Sequence, residues 1–172
     1  MCRLLYLPAN ATHDIRILAP WLAQLEMSFG GDGTGYASLK RGAVKGVNLT
    51  AIKSAHAIAK IKTPVIWHTR KISCGIKNND LCHPFKTRKG WLVHNGHWHT
   101  GAFASQLLEG HWSDSKIAAL YIKLYGWKAF CRQISSGVWL HLTKRGCEVS
   151  YNSGDLYVEI ETGALCSEPC KN

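Results

Sequence analysis

The second residue of the chain is a cysteine, and its position opens a chemistry closed to an internal cysteine. Removal of Met1 leaves the Cys2 thiol beside an unblocked α-amine, whose ordinary pKa is about 7.7–8.0 against about 10.4 for lysine. That amine is a competent base at neutral pH, and a thiol needs little activation to attack a carbonyl carbon. The plain alternative for Cys2 is a small buried residue on an edge strand.

Other residues are of the types such a nucleophile would use. Arg70 ends a run rich in β-branched residues, where a guanidinium can hold a carboxylate through two parallel hydrogen bonds or make a surface ion pair. Asp114, after Ser113, can pair with an ammonium group or serve as a first-turn acid. Asn95 can aim its side-chain amide, and Gly96 its N–H, at an oxyanion. Asn-Gly is equally a hairpin-turn dipeptide. A rival metal chemistry would use His94, His97 and His99, with His97 and His99 on one face of a continued strand and thiolates added by Cys166 and Cys170. Their spacing matches no standard zinc module, and histidines at the surface beside Trp98 are the simpler account. Gly31-Asp32-Gly33-Thr34-Gly35 is no dinucleotide fingerprint, because its spacing is wrong and it leads into a strand.

The elements that must position these groups follow from apolar periodicity and turn chemistry. Residues 2–7 read as a strand, and Trp21–Met27 as a helix closed by Gly30-Gly31. A strand is expected at Tyr36–Lys40 with a hairpin partner at Val44–Asn48. Thr50 caps a helix to Lys60 whose Ile52, Ala55, Ile58 and Ala59 share a face. Lys62–Arg70 and Trp91–His94 read as strands flanking a long polar stretch, 71–90, of the kind that carries function. Lys116–Leu124 reads as a helix with Ile117, Leu120, Tyr121 and Leu124 on its apolar face. Gly137–Thr143, Cys147–Tyr151 and Leu156–Glu161 read as paired strands. Strands at both ends with helices between fit a single α+β domain over 1–172.

The chain has 172 residues, 46% of them hydrophobic, which suits one globular domain and excludes a disordered tail. Charged residues interrupt every apolar run well short of the roughly 18 residues of a membrane span, so no membrane partner is expected. Met1–Pro8 lacks the pattern of a signal peptide, so a cytoplasmic, reducing location is expected. Seven cysteines, an odd number, then argue against a disulfide framework. The net charge is 21 − 11 = +10. Lys40, Arg41, Lys45, Lys53, Lys60, Lys62, Lys71, Lys77, Lys86, Arg88 and Lys89 crowd the first half, which fits either nucleic-acid contact or a solvated basic surface.

Six blocks occur in order: Met1-Cys2-Arg3-Leu4-Leu5, Asp32-Gly33-Thr34-Gly35, Trp67-His68-Thr69-Arg70 with Ile72-Ser73-Cys74-Gly75, Cys82-His83-Pro84-Phe85, Leu92-Val93-His94-Asn95-Gly96, and Ser113-Asp114-Ser115. Over residues 1 to about 125 this order resembles the class II glutamine amidotransferase (glutaminase) domain of the N-terminal-nucleophile hydrolases. Ala164-Leu165-Cys166-Ser167-Glu168-Pro169 is similar to the motif that closes that domain. The resemblance implies a four-layer αββα sandwich and hydrolysis of L-glutamine to glutamate and ammonia through a thioester on Cys2. It implies Asn95 and Gly96 as oxyanion donors, and Arg70 and Asp114 as the grip on the amino-acid end. Ser73, His94 and Gly33 would frame the pocket. No metal or organic cofactor is implied, and ammonia passes to a partner enzyme on a separate chain. The chain departs from the family where Ile72-Ser73-Cys74-Gly75 replaces the commoner Ala-Thr-His-Gly, and where Thr34 stands for an aromatic residue or Ile. The alternative expectation is a non-catalytic basic module of the same fold that contacts nucleic acid or a synthase subunit.

Overall fold

A computed structural model describes residues 2–11, 14–73, 76–134 and 136–168. Among them the chain is mixed α+β, with two antiparallel sheets and five α-helices. The elements run β1 (Arg3–Leu7), α1 (Ile15–Phe29), β2 (Gly33–Ser38), β3 (Gly42–Gly46), α2 (Ala51–Ile58), β4 (Val65–Arg70), β5 (Phe85–Lys86), β6 (Gly90–Asn95), α3 (His99–Leu107), α4 (Asp114–Tyr125), α5 (Trp127–Cys131), β7 (Val138–Thr143), β8 (Gly146–Tyr151), β9 (Tyr157–Val158) and β10 (Leu165–Cys166). One sheet has the order β3-β2-β4-β1-β10-β9, the other β5-β6-β7-β8.

The period-two alternation of strands divides the core into three apolar clusters. Leu5 and Leu7 of β1 and Val65 and Trp67 of β4 pack with Leu18, Leu22 and Leu25 of α1 and Ala55 and Ile58 of α2. The intervening Leu4 and Ile66 point the other way, against Val93 of β6 and Val138, Leu140 and Leu142 of β7. Leu92 and Trp139 leave that second cluster and meet Ala118, Ala119 and Ile122 of α4 and Phe130 of α5. Both sheets are therefore covered on both faces, which is why β4 and β7 are buried at every residue. The same parity sends Arg70, two and four residues beyond His68 and Ile66, and Asn95, two beyond Val93, to the side where the sheets face each other.

Several expectations shift. Helix α1 starts six residues before Trp21, because Asp14 caps it by accepting from the Arg16 N–H; Pro20 lies inside the helix rather than at its boundary. Strands β2 and β3 form their hairpin two to three residues earlier than expected, around Gly42 with φ +78°. Helix α2 has the expected cap, the Lys53 N–H donating to Thr50 Oγ1 at 3.3 Å, yet Ile52 is 54% exposed. In α4 the Lys116 N–H donates to Ser113 Oγ at 3.2 Å, but the buried face is Asp114, Ser115, Ala118, Ala119 and Ile122. Small side chains let this helix approach its sheet closely, so the larger Leu120 and Leu124 are left outside. Within Leu156–Glu161 only Tyr157–Val158 form a strand, and it joins β10 in the six-stranded sheet instead of β8. Helices α3 and α5 had no periodic signal; α5 has only five residues.

The rotated face of α4 is directly testable. Ile122→Ala should cost about 2–5 kcal/mol in urea unfolding, since Ile122 is 4% exposed. Leu124→Ala, at a residue 64% exposed, should stay within about 0.5 kcal/mol.

Candidate active site

Cys2 precedes β1 at the end where the two sheets face each other. Its backbone N–H donates to Asn95 Oδ1 at 2.9 Å, joining the start of a strand in one sheet to the last residue of β6 in the other. The thiol is clasped by the backbone of one residue: the Lys71 N–H donates to Cys2 Sγ at 3.4 Å, and Sγ lies 3.5 Å from the Lys71 carbonyl oxygen. Burial raises the thiol pKa; the Lys71 backbone hydrogen bond and the Arg70 charge oppose that rise, and Asp114 adds to it. A thiol held protonated in this way requires a base before it can attack.

Cys2, Arg70, Ser73, His94, Gly96 and Asp114 share the wall of one small cavity with Lys71, His83, Ser113 and Ser115. Its volume is about 20 Å³, room for a single water. A neighbouring cleft of about 470 Å³ shares Ser73 and reaches His97, Gln106, His111 and Trp112. Arg70 is buried at the end of β4, and its Nη1 donates to the Ile76 carbonyl at 2.8 Å. Asp114 is held from two sides: its Oδ2 accepts from the Trp98 N–H at 3.0 Å and its Oδ1 from the Ser115 N–H at 2.7 Å. Asp32 steadies the far wall by accepting from the Ile72 N–H at 3.0 Å, with Lys71 Nζ 3.8 Å away.

Three buried histidines back this cavity. His94 stacks on Trp139 with ring centroids 3.5 Å apart and 8° between planes. Ser115 Oγ donates to Asp114 Oδ1 at 3.1 Å, so the network assigns His94 Nδ1 as the donor to Ser115 Oγ at 3.0 Å. His94 Nε2 has no partner among the described residues, and Gly96 and Gly137 press against it: a Cβ at either would lie 2.9 Å from that nitrogen. Gly96, with φ +145°, also has the backbone conformation that other residues rarely adopt. His68 Nε2 donates to the His94 carbonyl oxygen at 2.9 Å, and the His68 ring lies 3.9 Å from that of His83. Burial lowers all three: His68 to about 3, His94 to about 4, His83 well below its ordinary value.

Cys2, Arg70, Ser73, His94, Gly96 and Asp114 thus border one cavity, while Asn95 is joined to it through its hydrogen bond with Cys2 and does not itself border it. Two of the expected residues have another setting than expected. His94 is a packed, neutral support whose ring contacts Trp139 and Ser115. Gly33 pairs with Arg70 across β2 and β4 and is not among the residues bordering the cavity; it makes room for Cys82, whose Sγ would be 2.4 Å from a Cβ there. Sequence reasoning missed Lys71, because its contribution is a peptide group with no side-chain signature. It also gave His83 no role, although Cys82-His83-Pro84-Phe85 marked the segment. The metal alternative loses its geometry: β6 ends at Asn95 and His99 opens α3. Among the described residues no three His, Cys, Asp or Glu side chains converge as a metal site needs. Met1, Cys74, Gly75, Pro169 and Cys170 lie outside the described residues. Cys2, Cys82, Cys131, Cys147 and Cys166 are thiols rather than disulfides. Among the described residues no helix is long and apolar enough to cross a membrane.

No family model matches this chain, and no curated protein does so either.

The buried neutral histidines make stability depend on pH in a stated direction. Their folded pKa values lie below the unfolded value of about 6.5, so the unfolded chain binds protons that the folded one refuses. Stability is fully present above pH 6.5 and is lost as pH falls from there toward 4. Each histidine should contribute a slope of up to about 1.4 kcal/mol per pH unit. Urea unfolding at pH 7, 6 and 5 should show a progressive fall, in a window above the titration of the carboxylates; a flat profile refutes the buried neutral cluster.

Proposed function

We propose that this chain is a glutaminase of the class II amidotransferase type, with the αββα layering of the N-terminal-nucleophile hydrolases. The layering is supported by the three apolar clusters, which separate helices α1 and α2, the six-stranded sheet, the four-stranded sheet, and helices α4 and α5 in that order. The observation that carries the activity is the 2.9 Å hydrogen bond from the Cys2 nitrogen to Asn95 Oδ1. It fixes the nitrogen of the nucleophilic residue and leaves the NH₂ end of the Asn95 amide as its remaining donor.

The chemistry follows from that arrangement. With Met1 removed, the Cys2 α-amine takes the thiol proton and Sγ attacks the side-chain amide carbon of L-glutamine. The carbonyl oxygen becomes an oxyanion within reach of the Asn95 NH₂ and the Gly96 N–H. The amine returns the proton to the leaving nitrogen, the C–N bond breaks and ammonia departs, leaving a γ-glutamyl thioester. Water activated by the same amine then cleaves the C–S bond, releasing glutamate and restoring the thiol. Arg70 and Asp114, on the same cavity wall, supply opposite charges for the α-carboxylate and α-ammonium of the substrate. Entry of glutamine requires the 20 Å³ cavity to open toward the adjoining cleft at Ser73. Ammonia released here goes to an acceptor enzyme or to solvent.

Intact mass of the purified protein should show loss of Met1, and glutamate release from L-glutamine should vanish in Cys2→Ala. Retained Met1, or equal release by wild type and Cys2→Ala, ends this reading. Asn95→Ala should lower turnover by about 100- to 1000-fold; steady-state kinetics with turnover unchanged would remove Asn95 from the oxyanion site.

A further inference from the structure

The four-stranded sheet carries a second concave surface at its other end. Strand β6 runs from Gly90 to Asn95, so five residue steps of about 3.4 Å put roughly 17 Å between Asn95 and the turn that precedes Gly90. There the β5–β6 turn, the β7–β8 turn and the junction of α4 with α5 converge on two adjoining hollows of about 370 and 340 Å³. Arg88, Lys89, Arg145 and Glu148 border both. Lys123 and Lys128 complete one, Lys144 the other. All six cations are exposed.

Among the described residues none of these six has an ion-pair partner. The one carboxylate in the cleft, Glu148, is engaged at 2.9 Å by His141 Nδ1, whose Nε2 lies 2.8 Å from Thr87 Oγ1. The polar groups of the floor are thus hydrogen-bonded to one another, while six cations against the one carboxylate leave an excess of about five positive charges. Such an excess, gathered from three separate connections, is complementary to a polyanion rather than to a single acidic group. The rim also offers Tyr125, 65% exposed, and the half-buried Trp127, whose ring lies 5.1 Å from that of His141. A positive groove bordered by aromatic faces is the pairing that suits a phosphate backbone with unpaired bases. The two hollows share a wall of two arginines and a lysine, which fits a ligand that extends through both better than one compact polyphosphate.

We propose that this cleft binds single-stranded nucleic acid, with Arg88, Lys89, Lys123, Lys128, Lys144 and Arg145 on its phosphates and Tyr125 stacking on a base. The binding is independent of glutamine hydrolysis and of Met1 removal. Four of these six cations lie outside the basic residues that crowd Lys40–Lys89.

Fluorescence anisotropy with labelled 20-mers of dT and rU, against a 20-base-pair duplex, tests this on the intact protein. Single strands should bind with a Kd that rises with NaCl, the slope of log Kd against log [NaCl] being about +0.7 for each phosphate neutralised. Lys144→Glu with Arg145→Glu should weaken binding by about tenfold or more and flatten the slope by about 1.4. Arg88→Ala with Lys89→Ala serves as a second variant on a different turn. Tyr125→Ala should weaken binding with the slope unchanged. Lys53→Glu with Lys60→Glu, on and just beyond helix α2, should have little effect. Melting curves verify that each variant is folded. The proposal is overturned by absence of binding at 50 mM NaCl, by tighter binding of the duplex, by equal losses from the Lys53/Lys60 pair, or by displacement of the oligomer by tripolyphosphate at matched phosphate concentration.

Discussion

The hydrogen bond between the Cys2 nitrogen and the Asn95 amide oxygen depends on the two sheets being packed face to face through a shared apolar cluster. Leu4, Ile66, Val93 and Leu140 hold that contact, and the alternation of strands then carries Cys2, Arg70 and Asn95 to its open end. The cavity is a by-product of the apolar layer running out. Wherever the packed interior stops, polar side chains from both sheets emerge facing each other, and their spacing is set by sheet separation rather than by any local loop.

That location has an electrostatic cost, and the buried histidines show how it is met. A layer bounded by Leu and Val cannot host imidazolium, so His68, His83 and His94 are neutral. As neutral rings they stack and donate, and they leave Arg70 as the strong positive charge of the cavity with Asp114 as its counterweight. Glycine is required on the other side for a related reason: Gly96 and Gly137 leave no side chain that would collide with His94 Nε2.

Much of this site was legible in the sequence, because its residues fall where local signals are strong. Arg70 and Asn95 end β-branched or apolar runs, and Asp114 follows a serine cap that forms as expected. Helix faces were less legible. In α4 the leucines marked an apolar stripe, but close packing selected the alanines, since backbone approach gained more contact than side-chain bulk. The apolar run placed the start of α1 at Trp21, whereas Asp14 caps a helix that already begins at Ile15. Pairing across long separations left no local mark at all: β9 looks like a neighbour of β8 and belongs instead to the other sheet. The Lys71 peptide and the cleft at the turns of the four-stranded sheet are products of such pairing.

Strand β1 lies between β4 and β10, with Leu5 opposite Cys166. The Leu4 N–H donates to Ser167 Oγ at 2.9 Å, and Arg3 pairs with Glu168 at 3.2 Å. The amino end of the chain is therefore locked by residues synthesised more than 160 positions later. During translation it emerges early and waits, unpaired on one side, until the ribosome has nearly finished the described length. The order of synthesis thereby leaves the closing of β1 on its β10 side to the last strand made among the described residues.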